Sequence, residues 1–396
     1  MIPKPLSECH NIADLREAAR RRLPRMVFDY IDGGAEDERT LRANTNAWGE
    51  VELIHRALRD VETIRTSTNV LGAQSSLPLV IAPTAATRLF HPKEGEGAVA
   101  KAAAEAGITY SISTLGSASI EEIGRLTDGP KWFQVYVWRD RELVAGILDR
   151  VRNAGFSGLI LTVDAPVAGK RERDPRNGFS IPPKINRKTV SQALMRPGYL
   201  FDVATSGAIG PANFPNPGDM DIMDLINTLF DRSVTWDYAR WLRDEWGGLF
   251  AVKGIGHPDD AEAAINVGAD VVWVSNHGGR QLDTAPSTAS LLPILAQTIN
   301  GRAELVVDGG IRRGSDILKA LALGANAVAI GRPYLYGVAA GGERGVTLAL
   351  NILRDELERT MALGGLSSID DLTADILSAS LFEPRQPTLT PIRSLP

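Results

Sequence analysis

The chain has 396 residues, 43 Lys and Arg against 48 Asp and Glu, and a formal net charge of −5. Hydrophobic residues at 44% and charged residues at 23% exclude a disordered or fibrous chain, and the acidic balance lacks the basic footprint of a nucleic-acid binder. One cysteine, Cys9, excludes an internal disulfide framework and a Cys-rich zinc or iron–sulfur site, and no metal site is expected. No apolar run is long enough to span a bilayer as a helix. The opening MIPKPLSECH has no apolar stretch after its lysine, so no signal peptide is expected and the cytoplasm is the expected location.

In chain order, residues 1–70 read as a helical extension, with helices over Ile12–Arg22 and Pro24–Asp32 ahead of a polar stretch. Eight short apolar runs follow: Leu77–Ala85, Ile108–Thr114, Lys131–Val137, Gly158–Asp164, Gly248–Gly254, Val271–His277, Ala303–Gly310 and Asn326–Pro333. Most are nearly continuous in Val, Ile, Leu and Ala, which is how strands buried on both faces of a parallel sheet read. Helical segments lie between them: Gly95–Gly107, Asp140–Gly155, His257–Gly268 and Gly314–Gly324, with turn residues as start and stop signals. Eight strand–helix alternations predict an α/β fold, a (β/α)8 TIM barrel, over 71–365. A doubly wound open sheet is the disfavoured rival, since it usually needs fewer strands. A long insert, 184–232, separates the fourth strand from its helix, and such connections are usually functional or mobile. Residues 366–396 are expected to form a C-terminal helix and a Pro-rich, poorly ordered tail.

A (β/α)8 barrel carries its active site at the C-terminal ends of the strands. Here those ends hold Pro83-Thr84-Ala85, Ser113-Thr114, Gln134 and Tyr136, Thr162 and Asp164, Lys253, Ser275-Asn276-His277, Asp308-Gly309-Gly310 and Gly331-Arg332. That many polar groups at one end predicts a single polar pocket, because burying them unpaired costs about 1–3 kcal/mol each. DGGIRRG (308–314) and GRP (331–333) follow the last two strands, where barrel phosphate sites commonly lie. Their glycines let backbone N–H groups approach a phosphate, and Arg312 and Arg332 add charge. Tight βα turns are the blander explanation. Neither stretch is G-x-G-x-x-G, so a Rossmann site has no support.

SNHGGRQLD (275–283) gives the clearest catalytic signal. His277 at a strand end suits a general base, and Arg280 three residues on suits a carboxylate clamp. Asp164, on another strand, can hold the second ring nitrogen and stabilise an imidazolium. His10, His55, His91 and His257 are expected to be satisfied structural histidines. Lys253, inside an apolar run, is expected to face an anion or an electron-rich ring; Schiff-base chemistry and snorkelling to solvent are the competing roles.

These motifs, with FDYIDGGAEDE (28–38), APTA (82–85), WFQVYV (132–137), LTVDAP (161–166), VKG (252–254), DGGIRRGSD (308–316) and GRPYLYG (331–337), resemble those of the FMN-dependent α-hydroxy-acid oxidising enzymes. Glycolate oxidase, L-lactate dehydrogenase and L-mandelate dehydrogenase belong to that group. The RERD stretch (171–174) and the long insert look most like the bacterial lactate dehydrogenase branch. The resemblance, over about Ile12–Leu377, implies FMN at the barrel mouth. It implies backbone of Pro83, Thr84 and Ala85 at the flavin's reactive edge, with Ser113, Gln134, Thr162 and Ser275 bonded to the flavin and its ribityl chain. Lys253 would sit at the pyrimidine end and stabilise the reduced anion. Asp308, Gly310, Arg312, Gly331 and Arg332, with Gly309 between, would hold the 5′-phosphate side. His277 would be the base and Asp164 its partner; Arg280 and Arg171 would clamp the substrate carboxylate with Tyr30 assisting, and Tyr136 would bond the substrate hydroxyl. A tetramer is implied as well.

Leu115 stands where plant glycolate oxidases place tryptophan, and Ala85 where mandelate-type enzymes carry glycine, which points away from glycolate and mildly away from an aromatic acid. The expected reaction is oxidation of a small L-2-hydroxy acid, lactate-like, to the 2-keto acid, with electrons passed to a quinone or cytochrome. The alternatives are an O2-using oxidase that makes H2O2, a mandelate-type dehydrogenase and, remotely, a non-redox phosphate-ligand barrel. Within the insert, one apolar cluster holds Leu194, Met195, Tyr199, Leu200 and Phe201, and another Ile222, Met223, Leu225, Ile226, Leu229 and Phe230. Either both pack on the barrel or a neighbouring subunit, or they form a flap over the mouth that touches the inner face of the cell membrane.

Overall fold

The computed structural model describes residues 4–179, 187–207, 209–213 and 231–378. The second apolar cluster of the insert and the Pro-rich tail fall outside these residues. A short antiparallel hairpin, β1 (Thr68–Val70) and β2 (Ala73–Ser75), precedes eight parallel strands. These are β3 (Leu79–Ile81), β4 (Thr109–Ser113), β5 (Lys131–Tyr136), β6 (Gly158–Thr162), β7 (Leu249–Ile255), β8 (Val271–Val274), β9 (Glu304–Asp308) and β10 (Ala327–Ile330). They pair in sequence order, and β10 closes on β3, so the fold is a (β/α)8 TIM barrel. Seven of the strands lie inside one of the eight apolar runs, and β7 passes the end of its run, Gly254, by one residue.

Two cores follow from the alternation of side chains along each strand. The outward faces join the helices in one large apolar cluster. The barrel interior is a second cluster that includes Val80, Trp132, Ile160, Ala251, Trp273, Val306 and Ala329. Val70 and Leu71 from the hairpin join it, with Leu249 packed against them. The hairpin was not expected from the sequence. Its residues are short and mixed, with no periodic apolar signal.

The helices start and stop where their capping residues dictate. The Asn11 side chain accepts from Asp14 N ahead of Ile12–Arg22, and that of Asp140 accepts from Leu143 N ahead of Arg141–Asn153. Helix Arg25–Asp32 follows, then Arg39–Glu50, which lies in the stretch read as polar. The helix after β10 runs Arg332–Gly364 and kinks at Gly341 and Gly342, where a Cβ on Gly342 would sit 2.2 Å from Glu94 Oε2. Beyond it the described residues hold 3₁₀ turns at Ile369–Asp371 and Ala374–Ile376, and the rest of the stretch expected to carry a C-terminal helix lies outside the described residues.

Of the insert, helices Arg187–Leu194 and Pro197–Thr205 are described. They dock on the N-terminal extension and on the segment after β3 through polar contacts. The Asp202 carboxylate lies between Arg22 and Lys93, Met26 N donates to Gln192 Oε1 at 2.8 Å, and the Tyr199 hydroxyl donates to Leu89 O at 2.9 Å. Among the described residues no helix is long and apolar enough to cross a membrane.

Candidate active site

Strand register brings the expected polar residues side by side at the C-terminal end of the barrel. Ser113 sits opposite Gln134, Tyr136 opposite Thr162, and Thr162 opposite Lys253. Above them lies a cavity of about 690 Å³. Its wall includes Tyr30, Pro83, Thr84, Ala85, Tyr136, Arg171, Lys253, His277, Arg280, Asp308, Gly309, Gly310, Arg312, Gly331 and Arg332. Asp164, Ser113, Gln134, Thr162 and Ser275 do not line the cavity but sit beside or beneath those that do. Ser113, Gln134, Thr162 and Ser275 are buried.

His277 Nδ1 lies 2.8 Å from Asp164 Oδ1. Burial works to raise the Asp164 pKa, but His277 and Lys253 outweigh it and hold the carboxyl below its ordinary value. The Asp164 carboxylate therefore keeps its negative charge, and engaging Nδ1 leaves Nε2 as the ring nitrogen facing away from it. His277 has φ +57, and Gly278 and Gly279 follow at +65 and +73. Such a backbone is strained for histidine and is held by its surroundings. His277 N donates to Ser275 Oγ at 3.0 Å, and Asn276 exchanges bonds with Asn44 at 2.8 and 2.9 Å. The Tyr136 hydroxyl, raised in pKa by burial and then by Asp164, stays a neutral O–H donor.

The arginines converge on Tyr30. The Arg280 and Arg171 guanidinium carbons lie 4.9 and 5.3 Å from its ring centroid, and Phe179 stacks on the ring at 4.3 Å. Arg280 Nη1 donates to Tyr30 O at 2.6 Å and Gly33 O at 3.1 Å. Arg332 donates to Ile31 O, Gly278 O and Gly33 O at 2.8–3.0 Å. The end of helix Arg25–Asp32 thus supplies its orphan carbonyls to two site arginines. Burial pushes the Arg332 guanidinium down to about 10, and burial followed by Arg171 lowers that of Arg280.

Lys253 is not a snorkelling lysine. Its Nζ donates to Ser275 Oγ at 2.8 Å and lies 3.2 Å from Asp308 Oδ2. Burial disfavours the ammonium, but Asp308 and Asp164 together raise its pKa. A lysine held as a cation is a poor amine nucleophile, which removes the Schiff-base role. Asp308 also accepts from Ser275 Oγ at 2.8 Å and from Trp273 Nε1 at 3.0 Å. Both its oxygens are therefore engaged within the barrel, at the side of Lys253. The expectation placed it with the phosphate group.

Seven cationic side chains line the cavity against two carboxylates, in a chain of net charge −5. Such a wall suits a dianionic phosphate and a carboxylate substrate together. The model of the FMN-dependent dehydrogenase family matches residues 19–379. The chain belongs to that family. It is an FMN-dependent oxidoreductase that acts on 2-hydroxy acids. It is 41% identical over 371 residues to the L-lactate dehydrogenase of Caulobacter vibrioides, covering 92% of this chain and 96% of that protein. It is 40% identical over 368 residues to the 2-hydroxyacid oxidase of Dictyostelium discoideum, covering 93% and 89%. A crystal structure of the monotopic membrane protein (S)-mandelate dehydrogenase aligns over 94% of this chain and 99% of that one, with a TM-score of 0.90 and 39% identity.

The site fits FMN on its own terms. Its volume is within the range of cofactor clefts, about 300–1,000 Å³. Gln134 Nε2 is buried without a partner while Gln134 Oε1 accepts from Ser113 Oγ, so a donor is left over for a bound group. The N-terminus of helix Arg332–Gly364, capped by Gly331, opens at the phosphate end. Gly310 is required by packing as well, because a Cβ there would lie 1.9 Å from Asn44 O.

Sequence reasoning missed four supports of this site: Phe179, Phe90, Tyr334 and Trp273. The Tyr334 hydroxyl meets Thr84 Oγ1 at 2.6 Å and donates to Ala82 O at 3.0 Å, fixing the Pro83–Ala85 loop. Only Trp273 had a sequence signal, an aromatic two residues before Ser275 in a run of valines. Of the histidines expected to be structural, His257 accepts from Asp259 N as a helix cap. His91 departs from that expectation, because its buried Nδ1 has no hydrogen-bond partner.

Proposed function

We propose that the protein oxidises an L-2-hydroxy acid of lactate type to the 2-keto acid and delivers the electrons to a quinone or cytochrome. The observation that carries this reading is the 2.8 Å His277–Asp164 bond at the rim of a cavity shared with Arg280 and Arg171. Bound FMN supplies a two-electron acceptor. Ser113, Gln134, Thr162, Lys253 and Ser275 would hold its ring and ribityl chain, and Arg312, Arg332 and the Gly309, Gly310 and Gly331 backbone its phosphate. Arg280 and Arg171, braced by Tyr30, would bind the substrate carboxylate and fix the α-carbon in one orientation. His277 would take the proton of the 2-hydroxyl as Tyr136 donates to the same oxygen. Asp164 would stabilise the imidazolium so formed.

Ala85, Leu115, Phe90 and Phe179 share the apolar part of the wall, and the Ala85 methyl takes up room beside the reactive edge, which favours a small side chain. A mandelate-type substrate is the second reading, favoured by the 0.90 TM-score to (S)-mandelate dehydrogenase. Anaerobic bleaching of the flavin band by L-lactate, glycolate and (S)-mandelate tests both, with L-lactate expected to act fastest. Faster bleaching by mandelate overturns the lactate reading. Rapid return of the band in air with release of peroxide makes the protein an oxidase.

Arg280→Lys is expected to lower kcat/KM about 10- to 100-fold. A charge-assisted hydrogen bond contributes about 1.5–3 kcal/mol, and lysine keeps the charge but loses the planar fork. Unchanged steady-state kinetics would show that the carboxylate is held elsewhere.

The acceptor side of the proposal rests on the insert. Leu194, Met195 and Phe201 are 64%, 63% and 62% exposed, whereas Tyr199 is buried. Exposed apolar side chains on and between two adjacent helices, with Arg187 exposed at the start of the first, suit contact with an anionic bilayer that holds a quinone. The protein is expected to co-sediment with anionic vesicles, and Leu194→Glu with Phe201→Glu to abolish this while L-lactate still bleaches the flavin. Absence of sedimentation by the unmodified protein rules out the membrane contact.

A further inference from the structure

The barrel interior holds an indole that the reading of the site does not use. Trp273 is fully buried in β8, and its Nε1 donates to Asp308 Oδ2 at 3.0 Å. The same oxygen lies 3.2 Å from Lys253 Nζ, and the Lys253 ammonium lies 5.9 Å from the Trp273 ring centroid. Ser275 Oγ closes the circuit, accepting from Lys253 at 2.8 Å and donating to Asp308 Oδ1 at 2.8 Å. Four buried residues therefore share one cation and one carboxylate, and Lys253 and Asp308 are the members that reach the cavity wall.

We propose that Trp273 is a positioning residue that sets how much of the Lys253 charge reaches the bound FMN, and so tunes the midpoint potential of the flavin. This rests on the placement of Lys253 against the flavin ring given above. An ammonium has three donors. One goes to Ser275 and one toward Asp308, which leaves one for the cavity. The indole N–H takes part of the Asp308 negative charge, and its ring face offers the ammonium a cation–π contact on the barrel side. Without that N–H the carboxylate is less satisfied in a low-dielectric interior and draws Lys253 away from the cavity. Less positive charge beside the ring system makes it a weaker electron acceptor, and the unshared carboxylate charge acts in the same direction. Both effects lower the potential.

The test is a dye-equilibrated redox titration of the purified holoprotein, with FMN retention and thermal unfolding recorded for each variant. Trp273→Phe is expected to lower the two-electron midpoint by an amount equal to about a tenfold change in the reduction equilibrium, about 30 mV. Trp273→His, smaller but with a ring N–H, is expected to lie nearer the unmodified protein. The Phe effect is expected to shrink in a Lys253→Met background, where only the smaller direct contribution of the Asp308 carboxylate remains. Trp273→Leu serves as the donor-free variant should Trp273→Phe not retain flavin. An unshifted potential in the donor-free variant, or equal shifts for the donor-free and His variants, overturns the proposal. So does a Trp273 effect of full size in Lys253→Met. If Lys253→Met itself leaves the potential unchanged, the placement of Lys253 fails and the proposal with it; a shift in Lys253→Met alone removes only the role of Trp273. Where Lys253→Met does not retain FMN, the contrast between donor-free and His variants decides alone.

Discussion

His277→Ala is expected to lower the rate of flavin reduction by L-lactate about 10²- to 10⁴-fold, the usual loss for a positioned general base. FMN is expected to stay bound, because the His277 ring is paired with Asp164, and the groups that suit the phosphate lie on the loops after β9 and β10. The backbone makes a second measurement informative. His277 sits at φ +57, where any residue with a Cβ is strained by about 1–2 kcal/mol, so alanine keeps the strain and glycine removes it. His277→Gly should therefore melt at a higher temperature than His277→Ala while being equally slow. Stopped-flow reduction under argon checks the rate, and an unimpaired reductive half-reaction in both variants would remove His277 from the chemistry.

The barrel was legible because its strands are buried on both faces and so read as continuous apolar runs. All eight, from Leu79–Ile81 to Ala327–Ile330, fall where those runs lie. The helix Arg39–Glu50 was not legible for a physical reason. Its buried face consists of Thr40, Asn44 and Trp48, all of which hydrogen-bond across the interface, and only Trp48 also joins the apolar core. Asn44 meets Asn276, the Thr40 hydroxyl donates to Asp283 O, and Trp48 Nε1 donates to Gly309 O. A scan for apolar periodicity cannot see a helix whose packing is polar, yet this one braces the loops that carry His277 and Gly310. The site residues were legible as types at strand ends. Their couplings were not, because the bonds from Arg280 and Arg332 to Tyr30, Ile31 and Gly33 carbonyls join segments about 250–300 residues apart. The insert was legible only in part: Tyr199 packs inward and Phe201 outward on one helix, a distinction that follows from helical geometry once the helix is docked.

Asp164→Asn is expected to cost about 10³- to 10⁴-fold in turnover, comparable to loss of the base itself. The carboxylate does two things an amide cannot. It accepts from Nδ1 without offering a competing donor, and its charge stabilises the imidazolium formed when His277 takes the hydroxyl proton. The burial of the pair makes both effects large, since Asp164 Oδ2 has no hydrogen-bond partner and its charge is answered chiefly by His277 and Lys253. The same pairing carries a stability consequence with a definite sign. The folded-state pKa of Asp164 lies below its ordinary value, so its contribution is fully present above about pH 4, the pKa of an unfolded aspartate, and is lost as pH falls through the folded pKa. Asn cannot titrate, so the melting temperature of the variant should fall less steeply than that of the unmodified protein on acidification below about pH 4. Parallel acid limbs would show that Asp164 is not held as a carboxylate by His277. Turnover within tenfold of the unmodified protein would show that the dyad, however well formed, is not what activates the substrate hydroxyl.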